Sequence, residues 1–280
     1  MSAPIGVFDS GLGGLTVAAA IRAALPREAI VYLGDTARVP YGTRSPATIV
    51  RYARNNVAFL KRQDVKLVVI ACNTVSAHAL GGLADGGDVP VLGVIRPGAR
   101  VAVEASRGGT IAVLGTPVTV RSGAYEQAIH ELDPNREVVQ IACPLFVPLV
   151  EEGWTAHEVT RLVAQEYLGP LAGTRVDTII LGCTHYPLLR EVITETAQRL
   201  LGRSVEVVDS ATAVARDVAA FLQRAGLEAP EGDGSPPQRF CVTDAPDRVG
   251  DVARRFWGEQ LGAFEHVDVF MGGPPGGGQA

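Results

Sequence analysis

Lysine is nearly absent from this chain: among its 280 residues only Lys61 and Lys66 occur, and arginine supplies the other basic groups. Lys61 falls near a predicted helix end and Lys66 opens a buried strand. Neither is well placed to hold an aldehyde cofactor as a Schiff base, which counts against pyridoxal phosphate. Dense basic runs are missing too, and the formal net charge is −5. Phosphate binding needs clustered Lys and Arg, so nucleic acid is a poor candidate partner. The opening residues lack the basic segment, apolar stretch and small-residue cleavage site of a signal peptide. The longest strongly apolar run, Val138 to Val150, carries two prolines and a glutamine and is too short to span a bilayer. A soluble, cytoplasmic protein is expected. No CxxC pair or zinc-type cluster occurs, so no metal is expected, and a reducing compartment leaves Cys72, Cys143, Cys183 and Cys241 as free thiols.

What is present is apolar and periodic. Hydrophobic residues make up 47% of the chain, enough for a sizeable core. Strands are predicted at Ile5–Phe8, Ile30–Leu33, Leu67–Ala71, Val91–Val94, Thr110–Leu114, Val138–Ala142, Thr178–Leu181, Val205–Val208, Phe240–Val242 and Val267–Phe270. Amphipathic stretches lie between most of them; Leu15, Ala18, Ile21 and Leu25 share one helical face. Ser45-Pro46 reads as an N-cap with proline at the first helical position, and Thr155 to Glu158 reads as a capping box. Alternating β and α units imply parallel sheets covered by helices on both faces.

The chain also resembles itself. Ile5-Gly6-Val7-Phe8-Asp9-Ser10 matches Ile111-Ala112-Val113-Leu114-Gly115-Thr116, and Val68-Val69-Ile70-Ala71-Cys72-Asn73-Thr74 matches Ile179-Ile180-Leu181-Gly182-Cys183-Thr184-His185. Any two βα junctions share some likeness, but the second match puts a cysteine at the same strand-to-helix corner in both halves. The expected fold class is therefore α/β, with two related domains, each a mainly parallel sheet flanked by helices, and an active site in the cleft between them. The Gly/Pro/acid-rich stretch Glu228–Gln238 reads as a surface loop, and residues 272–280 as a disordered tail.

In open parallel sheets, ligands bind beyond the carboxyl ends of the strands. Three polar clusters fall there: Asp9-Ser10, Cys72-Asn73-Thr74 and Cys183-Thr184-His185. Each precedes a predicted helix, whose first N–H groups favour an anion such as a carboxylate. Racemising an amino acid removes a proton from a tetrahedral carbon and returns one to the opposite face, which takes one acid/base group on each side. One thiol must begin as thiolate, although a free cysteine has a pKa of about 8.5. Asp9 beside Cys72 and His185 beside Cys183 are candidate helpers. A lone cysteine at a strand end is more often a small buried hydrophobe, and Cys143 and Cys241 are assigned to packing. Asp9-Ser10-Gly11-Leu12-Gly13-Gly14 is neither GxGxxG nor a P-loop. Its glycines read as a tight turn, with a plain helix cap as the alternative role of Asp9. Pro40-Tyr41-Gly42-Thr43 reads either as a turn or as a cleft wall offering a backbone N–H. Glu151 and Glu152 are surface acids, or a carboxylate facing the cleft that positions or deprotonates a substrate ammonium.

Taken together, Val7-Phe8-Asp9-Ser10-Gly11-Leu12-Gly13-Gly14, Pro40-Tyr41-Gly42, Ala71-Cys72-Asn73-Thr74, Pro144 to Gly153 and Gly182-Cys183-Thr184-His185-Tyr186-Pro187 resemble the glutamate racemases of the aspartate/glutamate racemase family, over about Ile5 to Phe221. The resemblance implies interconversion of L- and D-glutamate without metal or pyridoxal phosphate, with D-glutamate feeding peptidoglycan synthesis. It implies that Cys72 acts on D-glutamate and Cys183 on L-glutamate, with Asp9, His185 and Glu151 assisting. Asp9, Ser10, Tyr41, Gly42, Asn73, Thr74, Thr184 and His185 match substrate-binding positions. It also implies a first domain of residues 1–96 plus 209–271, a second of 97–208, and a homodimer. Arg96 stands where the family varies, and the stretch after Gly226 matches no functional motif. Two other readings stay open: a racemase for aspartate or another acid, and an amino-acid-binding or regulatory protein without turnover. Some members of the family are associated with DNA gyrase inhibition.

Overall fold

A computed structural model describes residues 2–84, 88–230, 236–247 and 249–269. Its elements run β1 (Ile5–Asp9), α1 (Leu15–Ala24), β2 (Ile30–Gly34), α2 (Pro46–Lys61), β3 (Leu67–Ile70), α3 (Asn73–Ala84), β4 (Val91–Gly93), α4 (Ile95–Ala105), β5 (Thr110–Gly115), α5 (Pro117–Arg121) and α6 (Ala124–Leu132). They continue with β6 (Val138–Ala142), α7 (Phe146–Glu151), α8 (Glu158–Leu168), β7 (Val176–Gly182), α9 (Arg190–Leu201), β8 (Glu206–Asp209), α10 (Ala211–Ala225), β9 (Arg239–Val242), α11 (Gly250–Trp257) and β10 (Phe264–His266).

The strands form two sheets, ordered β10-β9-β2-β1-β3-β4 and β6-β5-β7-β8, and every described pairing is parallel. The second sheet repeats the β2-β1-β3-β4 order of the first as β6-β5-β7-β8. The internal likeness in the sequence therefore pairs β1 with β5 and β3 with β7, the two central strands of each repeat. The chain leaves the first sheet after Gly93, and α4 packs on β7, β8 and α6; after Asp209 it returns, and α10 packs on α1.

Strand alternation explains the core. Ile5 and Val7 of β1, with Ala112 and Leu114 of β5, enter one cluster shared by both sheets. Phe8, on the other face of β1, joins Ile49, Val57 and Val75 from α2 and α3. Ile111 and Val113 of β5 join Ile95, Tyr125 and Ile129 from α4 and α6. Each large side chain so buried contributes about 1.5–3 kcal/mol, and both sheets end up covered on both faces.

Local signals mostly hold. Ser45 caps α2 by accepting the Thr48 N–H, with Pro46 following. Two expectations need correction. The α8 cap is His157, not Thr155: its ring stacks on Trp154 at 4.6 Å, and its Nδ1 accepts the Val159 N–H at 3.1 Å. The last strand is Phe264–His266, three residues before the predicted Val267, because Phe264 pairs with Phe240 in a cluster that also holds Trp257. Phe270, residues 231–235 of the expected loop and the 272–280 stretch lie outside the described residues.

Candidate active site

Both sheets point the carboxyl ends of their central strands at one cavity of about 430 Å³, within the usual range for a small-molecule site. Cys72 stands two residues past the end of β3 and directly before α3; Cys183 directly follows β7. Both line this cavity, together with Ser10, Asn73 and Thr74 from the first half and Thr184 and His185 from the second. Tyr41, Gly42 and Glu151 line it as well. Asp9 is fully buried behind this lining. Cys143 and Cys241 are buried elsewhere in the core. Lys66 is held by Glu28 at 2.5 Å, outside the lining.

Glycine permits the two halves to meet. A Cβ on Gly13 would stand 2.4 Å from Thr184 Oγ1 and 2.5 Å from His185 Nδ1. A Cβ on Gly42 would stand 2.9 Å from the Thr116 Cβ. Both contacts are closer than a side chain tolerates, so the backbone of the first half presses directly on the polar corner of the second.

The two thiols sit in unlike surroundings. The Cys72 Sγ lies 3.5 Å from Ser10 Oγ and is oriented to donate to it. Burial, reinforced by the nearby Asp9 charge, pushes the Cys72 thiol up to about 12, against the pull of the Ser10 hydroxyl and the Val75 N–H; the Cys183 sulfur adds a smaller upward push. Asp9 itself is pushed up by burial, against the His185 charge and the backbone N–H groups of Gly11, Gly14 and Ser10. Its Oδ2 accepts the Gly11 N–H at 3.0 Å. On the other side, His185 Nδ1 is 4.0 Å from Cys183 Sγ and Nε2 is 3.1 Å from Glu151 Oε1. Burial opposes a charge on His185, but hydrogen bonding to Cys183 and then Glu151 outweighs it and lifts the imidazole to about 10.

The remaining lining supplies neutral donors. Asn73 Oδ1 accepts the Tyr125 hydroxyl at 2.7 Å, so the amide NH2 is what Asn73 can offer a carboxylate. The Tyr41 hydroxyl is tied to Asp35 and to Asn56, so Tyr41 contributes its ring and backbone to the wall rather than its O–H. Thr74 shares a hydroxyl triangle with Thr116 and Thr119, with edges of 3.0 to 3.1 Å. Thr116, which caps α5 and lines the cavity, was missed by the sequence reading. The internal repeat carried the signal, since it aligns Thr116 with Ser10. Among the described residues that line the cavity there is neither Lys nor Arg. Among the described residues no group of three His, Cys, Asp or Glu side chains could hold a metal ion, and no helix is long and apolar enough to cross a membrane.

A sequence model of the family described as Asp/Glu/Hydantoin racemase matches residues 14–218. A glutamate racemase of Geobacter metallireducens is 51% identical over 265 residues, covering 95% of this chain and 96% of its own. One from Chlorobium phaeobacteroides is 49% identical over 267 residues, covering 95% and 96%. Among solved structures, a glutamate racemase isoform from Bacillus anthracis superposes with a TM-score of 0.88 at 39% identity, covering 95% of this chain and 97% of its own. The glutamate racemase of Francisella tularensis in complex with D-glutamate gives 0.87 at 38% identity, covering 96% and 98%. A fold of paired parallel sheets around a two-thiol cavity, with such relatives, defines an amino-acid racemase, an isomerase. The chain belongs to the Asp/Glu/Hydantoin racemase family.

Proposed function

We propose that this chain interconverts L- and D-glutamate through Cys72 and Cys183, without a cofactor, and so supplies D-glutamate for peptidoglycan synthesis. The observation that carries this reading is the pair of thiols at equivalent strand ends of the repeated β-α frame, lining one cavity. Two sulfurs offered from two halves suit a reaction that strips a proton from one face of a carbon and replaces it from the other.

The surroundings suggest how each sulfur starts. Cys72, held up near pH 12, rests as a thiol and is ready to donate. Cys183 sits against a protonated His185, so a negative sulfur there is paired. From this state Cys183 removes the α-proton of L-glutamate and Cys72 protonates the opposite face, giving D-glutamate. The reverse turnover begins with the proton on Cys183. Ser10, Asn73, Thr74 and Thr184, the backbone at Gly42 and the first N–H groups of α3 are the donors for the two carboxylates. Glu151, about 40% exposed, is the acid nearest to accept from the ammonium or to share the proton on His185. Asp9 acts from behind, through its charge.

The glutamate preference is supported by relatives named for that activity over 95% of the chain. The same resemblance leads us to infer a homodimer in the cytoplasm. Leu145, Trp154, Val159 and Leu162, exposed within one short stretch, offer apolar surface for such a contact, and sedimentation would show it. We also divide the chain at about Arg96 and Asp209, where it changes sheets.

Purified protein mixed with L-glutamate in D2O, with nothing added, should yield D-glutamate deuterated at the α-carbon, and should turn over aspartate far less. No exchange and no change in optical rotation would overturn the reading.

A further inference from the structure

The segment after Gly226 carries no sequence motif for the reaction, and α11 lies outside the residues that the family model matches. Yet α11 touches both members of the His185–Glu151 pair. Arg255 Nη1 donates to the Glu151 carbonyl at 2.5 Å and to the Val150 carbonyl at 3.1 Å, closing the C-terminal end of α7 with a cation. Gly153 makes room for it: its φ is +77°, and a Cβ there would stand 2.7 Å from Arg255 Nη2. The next residue, Phe256, is buried, with its ring 5.2 Å from the His185 ring in a T-shaped contact. The helix is fixed to the first half. It packs on α1, and its last residue, Trp257, lies under Arg22 at 5.2 Å and beside Phe240 at 4.9 Å.

We propose that Arg255 and Phe256 are positioning residues for the Cys183 side of the reaction: the first fixes the backbone that carries Glu151, and the second fixes the imidazole that faces Cys183. Among the described residues the groups acting on Cys72 are Asp9, Ser10, the Val75 N–H and, more weakly, the Cys183 sulfur, and none of them belongs to α11. Relaxing α11 therefore slows proton transfer at Cys183 more than transfer at Cys72, which it reaches only through Asp9. The inference rests on the two-thiol reading above.

The test is the primary deuterium isotope effect on kcat/KM, measured separately with 2-deuterated L-glutamate and 2-deuterated D-glutamate. Each value reports the removal step from one face. A barrier raised on one face makes that step more rate-limiting and the other less so. Arg255→Met removes the cation from an exposed side chain, and Phe256→Leu keeps apolar bulk while removing the ring. In both, kcat/KM should fall roughly tenfold through misplacement of the relay, the L-glutamate isotope effect should rise and the D-glutamate effect should fall towards unity. Arg254→Gln, on the same helix but exposed and paired with Asp251, should leave both effects unchanged. Isotope effects that move together, or stay fixed while kcat/KM drops, would overturn the inference. Absence of racemisation in the unaltered protein would instead sink the two-thiol reading itself.

Discussion

The two thiol corners of the cavity share a backbone plan and differ in electrostatics. Cys72 and Cys183 each follow a central parallel strand, within a four-strand order that the two sheets share. At Cys72 the neighbours are a neutral hydroxyl and a carboxylate sealed in the core. At Cys183 they are an imidazole and a half-exposed carboxylate in series. A duplicated βα frame thus puts equivalent atoms at one cavity, and the groups around each sulfur differ. Burial holds the Cys72 thiol up, and the His185 imidazole stands 4.0 Å from the Cys183 sulfur. A racemase has to be ready on both faces but cannot begin in the same state on both.

Removing one sulfur at a time should separate the two corners most strongly. Cys72→Ser and Cys183→Ser should each lower racemisation by about a thousandfold or more. Each should still exchange the α-proton of one enantiomer: Cys72→Ser that of L-glutamate, and Cys183→Ser that of D-glutamate. Equal exchange of the same enantiomer by both variants would erase the difference between the corners.

Next in size is Gly13→Ala. The new Cβ meets Thr184 and His185 at 2.4 to 2.5 Å, so the polar corner must move. An ångström of displacement costs about a hundredfold in turnover, measurable as kcat, with α-proton loss from L-glutamate impaired more than loss from D-glutamate. Ser10→Ala, on the opposite corner, removes one neutral hydrogen bond and should cost only about fivefold, mostly in the Cys72 step.

A separate effect falls on stability rather than turnover. His185 is raised from an ordinary value of 6.5 to about 10. The stability it contributes is complete below about pH 6.5 and is lost as pH rises through about 10. Cys72 is raised from 9.0 to about 12, so its contribution is complete below pH 9 and is lost towards pH 12. Denaturant titrations should therefore show stability falling between pH 7 and 10. His185→Asn should flatten that part of the curve, and Cys72→Ser should leave it in place.

Much of this was legible in the sequence because it is local. Parallel strands announce themselves as short β-branched runs: the half-buried edge strand Val138–Ala142 matches its predicted bounds, and the buried β1 runs one residue past the predicted Phe8. The cysteine corners could be read because a repeated pattern carried them. The residues that were missed act across the fold. Thr116 reaches the cavity only once β5 lies beside β7, and the aromatic contact that draws β10 to Phe264 joins residues 24 apart. The role of α11 depends on Gly153 leaving space for a guanidinium about 100 residues further along the chain. Helix starts erred for a similar reason: His157 wins the α8 cap because Trp154 orients its ring, which a capping pattern does not record.

Racemisation by this route needs two sulfurs facing one carbon, and a crystal structure with glutamate bound would show whether they do. It should show the α-carbon between Cys72 Sγ and Cys183 Sγ, each within about 3–3.5 Å and on opposite faces. Both sulfurs on one face, or either one turned into the core away from the ligand, would contradict it.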